Sequence, residues 1–369
     1  MIGPLLTNDR AKRAVLERLH ASSRVETRHL AQPLEHYLEK RTFTQTNEIF
    51  VSVATDLAEE CLRRALATAG LDPRDVDYIM FTSVTGVSAP SVDALLVQRL
   101  GLRSDVKRVP MYGLGCVAGA AGIARVNDYL LGHPNDVAVL VAVELCSLTF
   151  QRGDDSTANL VASGLFGDGA AAAVMVGSDR ADRMPVTGPD VIDTRSALYP
   201  DSSEVIGFTV TEAGFRIVLT ARVTEVIERH FGTDTTSFLA DNGCSVSEII
   251  HWVAHPGGPR VLQTFAKCLS LAPGALKVSW DSLARVGNLS SVSVLQILAD
   301  VLAEPRVNSP AASLGLSRLV TPILALAGTG TAATPAAVVR TGQQPGDRTL
   351  LFALGPGVSA ELVLLRWPG

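Results

Sequence analysis

Hydrophobic positions along the first half of the chain alternate between helical and strand spacing. Over residues 52–69 apolar side chains recur every three or four residues up to a glycine, which predicts a helix with a glycine cap. Residues 78–84 predict a strand, and the nearly all-apolar run 137–145 predicts a strand buried on both faces. Helical patterns at 91–101 and 117–132 lie between these strands. The first half is therefore predicted to be α/β.

The second half repeats this alternation. An apolar run at 249–254 predicts a strand, a helix is predicted from Pro259, and a longer helix covers 289–303. Two closing strands are predicted at 349–354 and 360–365. For 369 residues, at about 150 per domain, the pattern favours two comparable α/β halves.

One stretch departs from the pattern. Residues 304–348 are rich in Ala, Pro, Thr and Gly and carry few charges. Arg318 and Pro322 interrupt the apolar part, so this segment is predicted to be neither a long helix nor a membrane span. We expect a long surface excursion that is partly disordered.

Composition narrows the class of protein. The 32 basic and 37 acidic side chains give a net charge of −5, which excludes nucleic-acid binding through bulk positive charge. Hydrophobic residues make up 47% and charged residues 19%, which excludes a disordered chain. No apolar run approaches the ~18 residues of a membrane span, and no secretory signal is visible. Five cysteines without paired spacing indicate reduced thiols, so we expect a cytoplasmic protein.

Cys116 is the first candidate for chemistry. It follows a strand-like stretch and lies where the next helix begins, so the N–H groups of the first turn favour its thiolate. Gly113, Gly115 and Gly119 allow a sharp turn and close approach of a substrate. The other four cysteines lack this setting and are expected to be structural.

Two further residues complete a candidate site. A nucleophilic cysteine usually needs an imidazole, and His255 closes an apolar strand before a rigid Pro-Gly-Gly-Pro turn. This places the ring at the carboxyl edge of a sheet, where open α/β folds bind ligands. Asn288 lies at a comparable loop-to-helix junction, where by itself it would more often be a helix cap.

With these residues in view, the sequence resembles the type III polyketide synthases, the chalcone-synthase-like family, over nearly its whole length. The matching segments are GLGCVAGA at 113–120, LFGDGAAA at 165–172, HPGGPRVL at 255–262, GNLSS at 287–291 and GPG at 355–357. The runs VAVELCSLTF at 141–150 and LYPDS at 198–202 are similar to the mycobacterial-type members that make long-chain alkylpyrones.

The resemblance implies a thiolase-like fold, α/β in class, with two duplicated halves in a five-layer αβαβα sandwich. The halves would cover residues 1–180 and 181–369, the second including the atypical segment at 304–348. The family is usually a homodimer and uses coenzyme A thioesters directly, with no other cofactor, no metal and no nucleic acid. Family members usually begin with a further segment that includes a first core strand; here the chain opens at the helix before RVETRHL.

The resemblance also implies roles for individual residues. Cys116 would be the nucleophile, His255 and Asn288 would act on malonyl-CoA, and Phe166 would be a gatekeeper between the CoA tunnel and the cavity. Arg18 would meet the CoA phosphates. The substrate-binding positions would be Thr85, Ala89, Cys146, Thr149, Phe208, Ile217, Ser290 and Pro356.

The chemistry implied is a decarboxylative condensation. Cys116 thiolate, stabilised at rest by a His255 imidazolium, would take an acyl group from a starter thioester. Loss of carbon dioxide from malonyl-CoA leaves an enolate, whose oxygen would be held by N–H groups of His255 and Asn288. The expected substrates are long-chain fatty acyl-CoA with malonyl-CoA or methylmalonyl-CoA. The expected products are alkylpyrones, because Ala89 and Cys146 are small enough to open a tunnel for an alkyl chain.

Three alternatives stay open on the sequence alone. A β-ketoacyl synthase III-like enzyme of fatty-acid synthesis uses the same residue types, but that group places its histidine before Gln-Ala-Asn. A papain-like hydrolase would use Cys, His and Asn on a different pattern of helices and strands. A catalytically impaired acyl-CoA-binding relative would also retain the fold.

Overall fold

A computed structural model describes residues 6–7, 9–186, 188–303, 321–328 and 346–367, with the backbone alone at 321–328. The helices, numbered α1 to α11, are Arg10–Ser22, Phe43–Ala69, Val92–Leu100, Ala118–Gly132, Thr157–Leu165, Ser178–Ala181, Arg222–Val226, Gly232–Asp241, Pro259–Cys268, Lys277–Val286 and Val292–Leu302. None of the helices within these ranges is long and apolar enough to cross a membrane.

The strands and short helical turns complete the described elements. The strands, β1 to β11, are Tyr78–Thr82, Lys107–Met111, Val137–Leu145, Asp168–Val176, Asp190–Leu198, Ile206–Thr211, Gly214–Leu219, Ile249–Ala254, Thr321–Gly328, Arg348–Gly355 and Ser359–Arg366. The 3-10 turns are Leu34–Leu38, Pro73–Asp75, Gly115–Val117, Cys146–Thr149, Val246–Glu248 and Pro356–Val358, and a π turn, Ile227–Phe231, links α7 to α8.

Nine of the strands form one mixed sheet in the order β2-β1-β3-β4-β9-β5-β11-β10-β8. On one side of β9, β1 pairs in parallel with β2 and β3, and β3 pairs antiparallel with β4. On the other side, β8 pairs in parallel with β10, and β10 and β5 both pair antiparallel with β11. The repeated α/β architecture predicted from the sequence is therefore confirmed.

Helices α4 and α11 pack against each other in a core shared by the two halves. Val126 of α4 and Leu298 of α11 belong to one buried cluster with strand residues from β3 and β10. Gly119 allows this packing, because a Cβ there would lie 2.1 Å from the carbonyl oxygen of Ser291. The contact brings the start of α4 next to the start of α11.

The segment 304–348 contains a strand that the sequence did not predict. Residues 321–328 form β9, which pairs antiparallel with β4 and with the start of β5. All nine residues of β4 are buried, so β4 could not serve as an exposed sheet edge. The prediction of a surface excursion is wrong for residues 321–328, which lie within the sheet. The rest of the predicted segment, 304–320 and 329–345, falls outside the described residues.

Helix α2 shows where local sequence sets an element boundary. It begins at Phe43, nine residues before the predicted start, and the side chains of its N-cap Thr42 and of Gln45 form a capping box. It ends as predicted at Gly70, whose φ of +67° suits a residue without a Cβ.

Candidate active site

Cys116 lies in a 3-10 turn that leads directly into α4, as the sequence predicted. Gly115 turns the chain with a φ of +55°, and a Cβ there would lie 2.6 Å from Cδ of Pro356. Glycine is therefore needed both for the backbone angle and for the contact with the Pro356–Val358 turn. This contact ties the nucleophile candidate of the first half to the closing hairpin of the second half.

The surroundings of Cys116 oppose ionisation. Burial raises the pKa of its thiol to about 12, and a hydrogen bond with the Ser290 hydroxyl acts in the opposite direction. Ser290 adopts a φ of +51° just before α11, a backbone angle that non-glycine residues adopt infrequently. The start of α11 thus presents a hydroxyl to the thiol at the start of α4.

His255 follows β8, and its backbone N–H donates to the carbonyl oxygen of Phe352 at 2.9 Å. The side chain is 2% exposed, and its Nδ1 has no hydrogen-bond partner among the described residues. Burial lowers the pKa of His255 to about 3. Burial therefore favours a neutral imidazole at His255 and a neutral thiol at Cys116 at rest, in contrast to the expected imidazolium–thiolate pair, and the thiol proton must leave during the attack.

Asn288 is fixed by its backbone and by its own side chain. Its N–H donates to the Leu165 carbonyl oxygen at 2.9 Å, and its carbonyl oxygen accepts from Gly167 at 3.0 Å, which places it beside Phe166. Its Oδ1 accepts from the Ser290 N–H at 2.8 Å. This bond orients the amide so that its NH₂ group remains available to another acceptor.

A cavity of about 150 Å³ opens beside Cys116, about ten times the ~15 Å³ that one water needs on this measure. Its walls include many of the residues that the family resemblance implied: Cys116, Phe166, Thr85, Cys146, Thr149, Phe208, Ile217, Ser290 and Pro356. His255 and Asn288 are each 2% exposed and do not line it.

Two implied substrate residues lie elsewhere. Ala89 is exposed and does not line the cavity of this chain, so the expected tunnel loses one of its two small residues. Arg18 is exposed on α1, where its Nε donates to the carbonyl oxygen of Ala14. Its contact with CoA stays a prediction.

A buried carboxylate that the sequence analysis missed lies behind the nucleophile. Glu144 is fully buried; its Oε2 accepts from the Thr85 hydroxyl and the Val84 N–H, both at 3.1 Å, and from Ser83 at 3.3 Å. Its Oε1 accepts from the Ser291 hydroxyl at 2.6 Å. Burial raises its pKa. The lone acidic residue in the apolar run 137–145 was the signal that could have revealed it.

A second buried carboxylate, Asp168, lies behind another part of the cavity wall, where it contacts the lining residue Ser147. It accepts from the Ser147 N–H at 2.7 Å, from the Ala31 N–H at 2.6 Å, and from the Ser147 hydroxyl. The Tyr37 hydroxyl in turn lies 2.5 Å from Oγ of Ser147. Tyr37 and Ser147 both line the cavity, and no sequence pattern had linked them.

The fold and the site together define an acyl-transferring enzyme of the condensing type. A thiol at a helix start faces a largely apolar cavity, and an imidazole and an amide are held at neighbouring strand and helix ends. Within the described residues, no group of three or more His, Cys, Asp or Glu side chains could hold a metal ion.

Comparison with known proteins identifies the family. The model of "Chalcone and stilbene synthases, N-terminal domain" matches residues 7–180, and that of the C-terminal domain matches residues 191–318. The chain belongs to this family, has its thiolase-like α/β fold, and is a type III polyketide synthase.

Bacterial members of the family are similar over most of their length. A 1,3,6,8-tetrahydroxynaphthalene synthase of Streptomyces peucetius subsp. caesius is 47% identical over 367 residues, 100% of this chain and 87% of the relative. The alpha-pyrone synthesis polyketide synthase-like Pks18 of Mycobacterium tuberculosis is 30% identical, over 84% of this chain and 80% of the relative. The crystal structure of 1,3,6,8-tetrahydroxynaphthalene synthase from Streptomyces coelicolor A3(2) gives a TM-score of 0.85 at 30% identity, covering 100% of this chain and 93% of that one.

Proposed function

We propose that this polyketide synthase builds a hydroxylated fused-ring aromatic from malonyl-CoA, which serves as starter and as extender. The observation that carries the proposal is the 47% identity, along the entire chain, to a tetrahydroxynaphthalene synthase. This choice differs from the long-chain starter and alkylpyrone product expected from sequence motifs.

The cavity walls support a substrate that carries many oxygens. A poly-β-keto chain readily forms enols, and hydroxyl oxygens along a wall can accept hydrogen bonds from enol O–H groups. The hydroxyl-bearing lining residues are Tyr37, Thr85, Ser147, Thr149, Ser163 and Ser290. The aromatic rings of Phe150, Phe166 and Phe208 supply flat apolar surface between them.

The chain's own residues account for the steps of the reaction. The Cys116 sulfur attacks the starter carbonyl, its proton passes to His255, and coenzyme A leaves, so that a thioester forms on Cys116. The bond between the malonyl Cα and its carboxylate then breaks, carbon dioxide leaves, and the electron pair forms an enolate. N–H groups of His255 and Asn288 stabilise the enolate oxygen. The enolate carbon attacks the acyl thioester, and the Cys116 thiolate departs.

The test is incubation with malonyl-CoA alone and, in parallel, with malonyl-CoA plus acyl-CoAs of graded length, with products identified by mass. We expect the aromatic product from malonyl-CoA alone. An alkylpyrone as the main product, formed only when a lauroyl or palmitoyl thioester is present, contradicts the proposal.

A long-chain starter is the second candidate, because part of the cavity is lined by aliphatic side chains. Leu30, Leu34, Ile206 and Ile217 line it together with the small Cys146. Each buried methylene of an alkyl chain would contribute about 0.8 kcal/mol. Cys146→Phe should then shift preference to short starters, whereas an enzyme that uses malonyl-CoA alone should show no change in starter preference.

Two further proposals concern binding partners. Arg18→Glu should raise the apparent KM for malonyl-CoA if Arg18 meets the CoA phosphates, and an unchanged KM contradicts this.

We also propose a homodimer, because the sheet edge β2 is exposed along four of its five residues and Tyr112 beside it is 54% exposed. Light scattering should give the mass of two chains.

A further inference from the structure

Tyr37 and Ser147 form a pair of hydroxyls on the cavity wall that the reaction above does not use. Tyr37 comes from the 3-10 turn Leu34–Leu38 and Ser147 from the 3-10 turn Cys146–Thr149, so their contact joins segments far apart in sequence. The two oxygens lie 2.5 Å apart, and the Tyr37 oxygen also accepts from the Gln32 N–H at 3.3 Å. Both side chains are half-buried and line the cavity.

Asp168 decides the direction in which these hydroxyls donate. It is 3% exposed, and two backbone N–H groups and the Ser147 hydroxyl donate to its oxygens, so it acts as an acceptor throughout. The Ser147 proton is therefore committed to Asp168, and the Tyr37 proton is committed to Ser147. Each of the two hydroxyl oxygens retains one unused lone pair.

The protonation states agree with this direction at neutral pH. Burial raises the pKa of Asp168 to about 6, while Arg28 acts to lower it, so the carboxylate form dominates above that pH. Burial raises the pKa of Tyr37 to about 12, so it remains a phenol. The pair therefore offers acceptors, not donors, to a molecule in the cavity.

We propose that Tyr37 and Ser147, oriented by Asp168, are specificity residues that accept a hydrogen bond from an enol or phenol hydroxyl of the polyketide. This rests on the function proposed above. A β-diketone readily forms an enol, whose O–H fits an acceptor pair, whereas a saturated alkyl chain has nothing to donate. The pair thus holds the extended chain in the cavity until its rings close, and chains that lack this contact leave earlier as smaller lactones.

The experiment compares Tyr37→Phe and Ser147→Ala with wild type in reactions with malonyl-CoA. Tyr129→Phe is the matched control, because it also removes a single phenol hydroxyl that makes a hydrogen bond, here directly to Asp136 at 2.6 Å, away from the cavity lining. Products are quantified by mass, acyl loading of Cys116 by intact-protein mass, and folding by thermal melting. Loading and melting separate a specificity role from a merely structural one.

We expect Tyr37→Phe to lower the ratio of aromatic product to small lactones by about two- to tenfold, the range for one neutral hydrogen bond. Loading should match that of Tyr129→Phe. Ser147→Ala should shift the ratio in the same direction, because it releases the Tyr37 proton and turns that hydroxyl into a donor. An unchanged ratio in both variants overturns the inference.

Failure of the proposed function gives a different result. If wild type makes only alkylpyrones from acyl starters, the proposed function is wrong. The inference is then decided by the number of extension units in those pyrones. Fewer units in Tyr37→Phe than in Tyr129→Phe would support it, and equal numbers would overturn it.

Discussion

Two parts of the cavity wall use a buried carboxylate in opposite ways. At the nucleophile end, Glu144 lies behind Cys116; at the tyrosine end, Asp168 lies behind Tyr37 and Ser147. Both carboxylates are almost fully buried, and burial raises the pKa of each. They differ in which parts of the chain donate hydrogen bonds to them.

At the nucleophile end the hydroxyl of Thr85 belongs to the first half of the chain. It donates to Glu144 and accepts from the Leu145 N–H at 2.8 Å, and Ser291 from the second half donates to the same carboxylate. At the tyrosine end the donors to Asp168 come from Ala31 and Ser147, both in the first half, and the hydroxyls of Ser147 and Tyr37 line the cavity. A buried carboxylate can therefore either join two halves of a fold or orient hydroxyls toward a substrate, and the positions of its donors in the chain show which.

The largest effect is expected at the nucleophile. Cys116→Ala should abolish acyl loading and reduce product to below about one ten-thousandth, because of the two described cysteines that line the cavity, Cys116 and Cys146, only Cys116 leads into an α-helix. Intact-protein mass after incubation with malonyl-CoA measures loading, and Cys268→Ala is the control that should load normally. If Cys116→Ala still forms an acyl-enzyme, Cys116 is not the nucleophile, and the end of the cavity named after it has been assigned wrongly.

Glu144→Ala tests the joining role. It leaves the donors of Thr85, Val84 and Ser291 buried and unpaired, so the free energy of unfolding should fall by about 3 kcal/mol or more. Chemical denaturation measures the loss. Glu144→Gln, which keeps one acceptor oxygen, should lose less. If wild type, Glu144→Ala and Glu144→Gln are equally stable, Glu144 does not hold the two halves together, and the distinction between the two ends of the cavity is lost.

The pH dependence of stability tests the tyrosine end. The pKa of Asp168 is raised from 3.8 to about 6, so the folded protein holds this proton more tightly than the unfolded chain does. The stabilisation that this proton gives the folded state is fully present below pH 3.8 and is lost as the pH rises through about 6. The free energy of unfolding should therefore fall by about 3 kcal/mol across this range. Asp168→Asn should lack this fall when unfolding is measured across that window. An identical pH profile in both proteins would contradict the assignment.

The smallest effect is expected from Ser290→Ala. Removing the hydroxyl that hydrogen-bonds with Cys116 should raise the pKa of the thiol further and slow loading by about two- to tenfold. The pH profile of single-turnover loading measures this, and it should shift toward higher pH. A faster reaction, or a shift toward lower pH, would mean that Ser290 does not favour the thiolate.

The sequence by itself determined the features that depend on neighbouring residues. Cys116 had to lie at a helix start, because glycines and a helical pattern flank it, and His255 had to follow a strand, because an apolar run ends there. The helix stop at Gly70 followed from the same local rules. Motifs of this kind also carried the family resemblance, and with it the identity of the candidate catalytic residues.

Only the tertiary structure decided which distant groups meet. The Tyr37–Ser147 contact spans 110 positions and the Ser291–Glu144 contact spans 147, so no local pattern encodes either. Ala89 lies outside the cavity, and residues 321–328 lie inside the sheet, for the same reason. Local sequence fixes backbone angles and caps over a few residues, whereas burial and long-range hydrogen bonds are set only when the two halves pack together.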